Sequence, residues 1–402
     1  MPLVLAGQER RRMDKVLILS NKIPYPAEDG SSIAMARLLE ALIEQGNMDL
    51  WYFAINPDKH KKSPEVFTQQ APSVHFTFFD ANTSPSLLGA LGNLIEGSPY
   101  HVSRFYLPPV IKELSVFKDQ FFHTIIIEGA FMGKYLTLAQ QKAKRVILRA
   151  HNVEWVIWDR LAQNEPNTLK RVYLKLQSQR LQRFETHISQ QVNAIWTISP
   201  KDSIWFKSLN PKVGFFPNTV LPQAAPTSIE PFKCHHLGAL DWAPNVQGIQ
   251  WFLAKVWPIV LKRMPQAEFH IAGNNPPDEL DFTSYPNVFF HGRVEDANVF
   301  REANGISIVP LLAGSGMRIK ILELAAQGIP MVSTSIGAEG IFEPSEENYF
   351  IQSDPERMAE VLATLMEHPH QSSELGRKTQ RDILNRFGMG ATLQALKILW
   401  EQ

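Results

Sequence analysis

The chain has a single cysteine, Cys234, in 402 residues, so no disulfide can form within it. A lone thiol fits a reducing compartment. Net charge is also missing, because forty Lys and Arg balance forty Asp and Glu. That balance removes the global positive field expected of a nucleic-acid-binding protein. No run reaches the ~18 apolar residues of a membrane-spanning helix. Arg10-Arg11-Arg12 follow a short apolar start, whereas a secretory signal places its charges ahead of a longer apolar core. The expectation is a cytoplasmic protein with a flexible tail at 1–12. No repeat and no low-complexity tract is present. A G-x-G-x-x-G fingerprint is absent too, which argues against a dinucleotide.

What is present suffices for more than one core. Hydrophobic residues make up 44% of the chain, and its length predicts two or three domains. Lys15–Ser20 reads as a buried parallel strand. A loop with Pro24 and Pro26 carries it to Gly30, and Ser31 or Ser32 is placed to cap the next helix. That helix shows Leu38, Leu39, Leu42 and Ile43 on one stripe and stops at Gly46. Gly30 offers a backbone N–H to a substrate, or serves as a plain turn glycine. Further strands are expected at 50–54, 74–79, 124–127, 145–148, 194–198 and 213–216. The prolines at 217, 222, 226 and 231 mark a linker. The boundaries become 13–222 for a first domain, 223–232 for the linker and 233–385 for a second domain. Segment 386–402 closes the chain as a helix. Pro258 should kink or break the long helix of the second half.

In an open parallel sheet, ligands bind beyond the carboxyl ends of the strands. Glu128 and His151 both stand at such ends, which makes them a candidate catalytic pair; a structural role is the alternative for each. Leu169–Phe184 reads as a helix with Lys170, Arg171, Lys175, Arg180 and Arg183. It suits an anionic lipid surface or an anionic acceptor, or is simply a solvated face. In Cys234-His235-His236, neighbours on a strand point to opposite faces, so the triplet does not chelate a metal as a unit.

The most informative stretch runs from Gly305 to Thr334. It reads strand, glycine-rich turn, helix, strand. Gly314 and Gly316 let the backbone approach an anion, and the first helical N–H groups point at it. Arg318 and Lys320 occupy the start of the helix, the wrong end for a cation by roughly 0.3–1 kcal/mol each unless an anion sits there. Glu323 can face the same crevice and accept hydrogen bonds from vicinal hydroxyls. Helix end and cations suit a diphosphate, and the carboxylate suits a ribose; simple solvation of Arg318 and Lys320 is the alternative.

These residues resemble the retaining glycosyltransferases of the glycogen-synthase and sucrose-synthase-like group, glycosyltransferase family four. The likeness covers the chain from about residue 13. It includes the proline loop ending in Gly30, the His151-Asn152 pair, Pro217-Asn218, and Gly238 through Thr334. Its most specific part is Gly314-Ser315-Gly316-Met317-Arg318-Ile319-Lys320-Ile321-Leu322-Glu323. This looks like a branch with G-x-G-x-R-x-K-x-x-E in place of the two-glutamate motif. Ser315 stands where the first glutamate would fall, and Ala239 and Gln247 where the usual diphosphate cations would be.

The resemblance implies an α/β GT-B fold, two Rossmann-like doubly wound parallel-sheet domains facing across a cleft. It implies transfer of a hexosyl group from a nucleotide-diphosphate sugar to an acceptor hydroxyl of a glycan or lipid-linked acceptor, with retention, in glycan or cell-envelope polysaccharide synthesis. Glu323 would hold the ribose, backbone at Arg293-Val294 the base, and Gly30, Gly316 and Met317 the diphosphate. Ser315 and Asp241 fall on the same donor side, and His151 near the transferring sugar. Segment 386–402 would cross back to the first domain. No cofactor and no metal are implied, in agreement with the absence of an Asp-x-Asp triad. Peripheral contact with the inner face of the membrane is a further expectation. The competing expectations are a non-catalytic nucleotide-sugar binding protein and a GT-B phosphorylase or epimerase.

Overall fold

The computed structural model describes residues 13–402 except 28, 59–60, 85, 87–91, 94–96, 166, 241, 278–279, 314–316, 346 and 349. The tail at 1–12 and four expected donor-side residues (Asp241, Gly314, Ser315 and Gly316) therefore lie outside the described residues.

Two all-parallel sheets organise the chain. The first contains β1 (Asp14–Ser20), β2 (Met48–Pro57), β3 (His75–Ala81), β4 (Phe122–Glu128), β5 (Ala143–Ala150), β6 (Ala194–Thr197) and β7 (Val213–Phe215). Their spatial order is β3-β2-β1-β4-β5-β6-β7. The second contains β8 (Lys233–Leu237), β9 (Glu268–Ala272), β10 (Val288–Phe290), β11 (Ile306–Val309) and β12 (Met331–Ser333), in the order β10-β9-β8-β11-β12. Both orders reverse direction beside the first strand of the sheet, which opens a crevice at the strand ends.

The unbroken apolar runs expected of parallel strands are explained by burial on both faces. In β1, Leu17 and Leu19 pack with Phe53, Ile125 and Ile127 on one side. Val16 and Ile18 pack with Leu38, Leu42, Ile126 and Trp196 on the other. The register pairs Leu17 with both Trp51 and Ile125, so adjacent strands present the same face in step. A separate core around Phe252, Trp257, Phe269, Ile308 and Leu322 supports the second sheet.

The chain passes between the domains twice. After β7 it enters the second domain, and after helix Pro369–Phe387 it returns as helix Met389–Glu401. Leu396 and Leu399 of that last helix join the first domain's core. Arg145 donates to the carbonyls of Trp400 and Leu399 at 2.9 and 3.1 Å. The crossing is pinned where Val220 N–H donates to the Phe387 carbonyl at 2.8 Å, beside a Thr219–Thr392 hydroxyl pair.

Three local expectations are revised. Helix Gly30–Gln45 is capped by Asp29, not by Ser31 or Ser32. Its carboxylate accepts from the N–H groups of Ser31 and Ser32, while the Ser32 hydroxyl accepts from the Asp29 N–H. A charged oxygen two or three residues earlier competes better for those donors, and Lys22 holds it in place at 2.8 Å. Pro258 interrupts the regular α-helix without ending it. The wider π-type turns at Phe252–Val256 accommodate the missing N–H between Ala243–Trp251 and Trp257–Arg263. The basic helix extends to Thr168–Gln191, and two of its cations are already paired, Lys170 with Glu165 and Lys175 with Asp159.

Candidate functional site

The carboxyl ends of the two sheets face a cavity of about 720 Å³. From the first domain come His151, Asn152 and Ile198, each just beyond a strand end, and Asp29 and Gly30 at the start of the helix after β1. From the second come Gly238, Ala239, Asn245, Arg301, Met317, Arg318, Lys320 and Glu323. The domains touch beside it: a Cβ on Gly30 would lie 3.4 Å from the Ile319 side chain. Lys201, on the helix after β6, forms an ion pair with Glu339, on the loop after β12.

The cationic wall is built by helix Ile319–Ala326, which begins at Arg318 with no side chain capping its first N–H groups. Those donors and the helix dipole favour an anion. Nε and Nη2 of Arg318 are buried without a hydrogen-bond partner. Its guanidinium lies 5.7 Å from the centre of the Trp242 ring. Burial lowers its pKa, against an opposing pull from Glu339. Lys320 is half-buried on the same wall. Desolvation first, then the Arg301 charge, brings its pKa down to about 7, with Glu323 pulling the other way. Two poorly compensated cations at an uncapped helix start are expensive unless an anion joins them.

Glu323 lies on the cavity wall and accepts from Arg301 Nη2 at 3.5 Å. Arg301 is 7% exposed, donates to Gln327 at 3.0 Å and leaves its Nε buried without a partner. No motif in the sequence singled it out. It arrives on helix Ala297–Ala303, and no local spacing relates it to Glu323. Met317 lines the cavity as expected. Val294 does not line it; Ala297 and Asn298, a few residues on, do.

His151 and Glu128 are brought together, but not as two groups on one rim. His151 lines the cavity, whereas Glu128 is 1% exposed and sits behind it. His151 Nε2 is 2.5 Å from Glu128 Oε2. Arg149 Nη1 meets both oxygens of the same carboxylate at 3.2 Å, and its Nη2 reaches Asn218 at 3.3 Å. Burial pushes the Glu128 pKa up, but the Arg149 charge and the His151 hydrogen bond outweigh it and hold the carboxyl below its usual range. An ionised carboxylate only accepts, so His151 carries its proton on Nε2 and keeps Nδ1 free of Glu128. Glu128 is thus corrected from a catalytic rim group to a residue that orients His151.

A smaller cavity of about 250 Å³ lies between the domains, lined by Val153, Arg160, Lys201, Asp202, Trp205 and Glu339. Burial and the Glu339 charge raise the Asp202 pKa to about 6, and its Oδ2 is buried without a partner. The triplet at Cys234 behaves as expected of a strand. His235 Nδ1 faces the Asn304 carbonyl at 3.1 Å and His236 Nδ1 the Ile308 carbonyl at 2.9 Å.

Comparison with known proteins places this geometry among relatives. Residues 231–368 match the family described as glycosyl transferases group 1. An uncharacterized 44.6 kDa protein in the cps region of Klebsiella pneumoniae is 24% identical over 357 residues, 85% of this chain and 88% of that one. An uncharacterized glycosyltransferase of Haemophilus influenzae is 25% identical over 175 residues, 41% of this chain and 48% of that one. Among solved structures, TarM superposes with a TM-score of 0.69 at 10% identity over 97% of this chain and 99% of its own. Anabaena Alr3699/HepE in complex with UDP-glucose gives 0.63 at 13% identity, over 97% and 100%. The fold is GT-B: two Rossmann-like domains facing each other across the cleft that holds these residues.

Proposed function

We propose that the protein transfers a sugar from a nucleotide-diphosphate sugar to an acceptor hydroxyl. The observation that carries this reading is Arg318, whose buried and unpartnered guanidinium nitrogens stand with Lys320 at the uncapped start of a helix on the wall of the cleft. The match of residues 231–368 to glycosyl transferases group 1 supports it. So does the likeness to a fold solved with UDP-glucose bound.

Transfer requires stabilising an oxocarbenium-like sugar and a diphosphate that gains negative charge as it leaves. Cations and backbone N–H groups fixed in a water-poor cleft do this without reorganising at the moment of reaction. Arg318, Lys320 and the N–H groups of the helix start are aimed at that charge. Gly30 and Met317 complete the donor side, joined by Gly314, Ser315 and Gly316 just before Met317 and by Asp241 just after Ala239. Glu323 holds the ribose hydroxyls, steadied by Arg301, and the base lies toward Ala297 and Asn298 rather than Val294. His151 meets the sugar from the first domain, with its ring fixed by Glu128. The sign and placement of the two cations supply the charge that a metal provides elsewhere, so the reaction runs without one. Closure of the domains at Gly30–Ile319 and Lys201–Glu339 excludes the water that would hydrolyse the donor.

The segment Gly314–Glu323 favours the retaining family-four reading. The acceptor approaches from the first domain, where the smaller cavity with Asp202 and Trp205 adjoins the cleft. A glycan acceptor in surface-polysaccharide synthesis agrees with the relative from a cps region. No described helix is long and apolar enough to cross a membrane. Leu169 and Val172 are 84% and 64% exposed beside Lys170 and Arg171, which supports peripheral contact with an anionic lipid surface that carries a lipid-linked acceptor.

The test is incubation with UDP-, GDP- and ADP-sugars and a panel of glycan acceptors. Release of free nucleotide diphosphate that depends on acceptor supports transfer. Binding without turnover across the panel favours a non-catalytic nucleotide-sugar binding protein. Turnover that demands inorganic phosphate favours a phosphorylase, and conversion of the donor sugar without acceptor an epimerase.

A further inference from the structure

Building on the donor-site reading, we propose that His236 is a positioning residue for Lys320, holding its ammonium over Gly238 where a diphosphate would meet it. His236 lies on β8, hydrogen-bonded between β9 and β11, and is fully buried. Its ring is set by its own strand neighbourhood. Nδ1 stands 2.9 Å from the Ile308 carbonyl, which can only accept, so Nδ1 carries the proton. The ring is neutral, because burial and then the Lys320 charge push its pKa well below the ordinary histidine value. Nε2 therefore presents a lone pair, and Lys320 Nζ lies 3.4 Å from it.

Gly238 reports the same convergence independently. A Cβ there would fall 2.6 Å from Lys320 Nζ, 2.9 Å from Asn245 Nδ2 and 3.1 Å from His236 Nε2. Three nitrogens surround the space that this glycine leaves empty. Asn245 is itself tied to the Ala239 carbonyl at 2.8 Å. His235, one residue earlier, faces away toward Asn304 and takes no part.

The consequence is electrostatic. The charged groups that face the ammonium are Arg301, which repels it, and Glu323, which attracts it. A long lysine in that field loses rotamer freedom whenever it is fixed. A neutral acceptor on a rigid central strand fixes it before the ligand arrives and stabilises the ammonium without neutralising it. The diphosphate then finds a cation already aimed, which is the preorganisation that transfer requires.

The experiment compares the parent with His236→Leu, His236→Gln and Gly238→Ala. Lys320 is titrated in unliganded protein by pH-dependent acetylation with acetic anhydride, read by mass spectrometry, and UDP, GDP and ADP binding is measured by calorimetry. Leucine removes the acceptor, so the Lys320 titration midpoint falls further and affinity for the nucleotide that binds the parent drops about tenfold per unit of fall. Glutamine restores an acceptor near the Nε2 position and recovers most of both. Gly238→Ala displaces the ammonium and weakens binding, and it serves if the leucine variant does not fold. A leucine variant that is folded and keeps the parental Lys320 titration and affinity overturns the proposal. So does a glutamine variant as impaired as leucine. If the parent binds none of the three nucleotides while its Lys320 titration still responds to His236, the donor reading fails and the positioning role stands.

Discussion

Lys320 makes donor binding a proton-linked event, and its pH dependence can be worked from the structure. In the empty cleft its pKa is brought down to about 7, by burial first and by the Arg301 charge second. A diphosphate beside the ammonium adds opposite charge and raises that pKa on binding. Below the lower pKa the lysine is already protonated, and affinity is at its plateau. Above it, binding must first take up a proton, so affinity falls tenfold per pH unit until the raised value is reached. Between about pH 7 and about pH 9 the loss is about fiftyfold, or ~2.3 kcal/mol, provided the raised value lies above that range. Calorimetric titration with UDP, GDP and ADP in buffers of unlike ionisation enthalpy counts the protons directly. Uptake should climb from about half a proton near pH 7 toward one near pH 8 to 9. The Lys320→Met variant should bind weakly and show no such uptake. Flat affinity and no proton uptake over this range in the parent would refute the argument.

Arg318→Ala should lower turnover by 10²–10³-fold, about 3–4 kcal/mol, because it removes a preorganised cation from the leaving group; steady-state rates with a productive donor and acceptor check this, and near-parental turnover removes Arg318 from the mechanism. Glu323→Gln should chiefly weaken nucleotide affinity, and a titration with free nucleotide diphosphate that shows no change contradicts its ribose role. Glu128→Gln should cut turnover while leaving nucleotide affinity intact, since it frees the His151 ring and leaves Arg149 buried without its counter-charge; the expected loss of about 3–5 kcal/mol in folding stability is read from a denaturant melt of the same variant. Gly214→Ala places a Cβ 1.9 Å from Leu399 Cδ2, so thermal melting should show a destabilisation of about 1–3 kcal/mol as the closing helix is pushed off the first sheet.

Much of the fold could be read from local pattern. β4 and β5 extend the expected runs by one or two residues at each end. Buried parallel strands announce themselves as β-branched runs because both of their faces are covered. Donor-side residues were legible for the same kind of reason. The spacing of Arg318, Lys320 and Glu323 along one helix places them on neighbouring turns whatever surrounds them. Asp29 caps helix Gly30–Gln45 in place of the expected Ser31 or Ser32, because a charged oxygen two or three positions earlier outcompetes either serine hydroxyl. The contacts of Arg301 and His236 left no trace in the sequence, since each reaches the site from an element distant in the chain.

The sequence by itself determined two parallel sheets and the order of charges at the start of helix Ile319–Ala326, because these follow from side-chain periodicity and chain stiffness over a few residues. Tertiary structure alone decided the protonation and aim of those charges. Lys320 sits near neutrality because Arg301 and the covering protein are close to it, and Glu128 stays ionised in the interior because Arg149 and His151 are its neighbours. Desolvation and Coulomb interaction depend on distance through space, and strand pairing brings together groups that the chain keeps far apart.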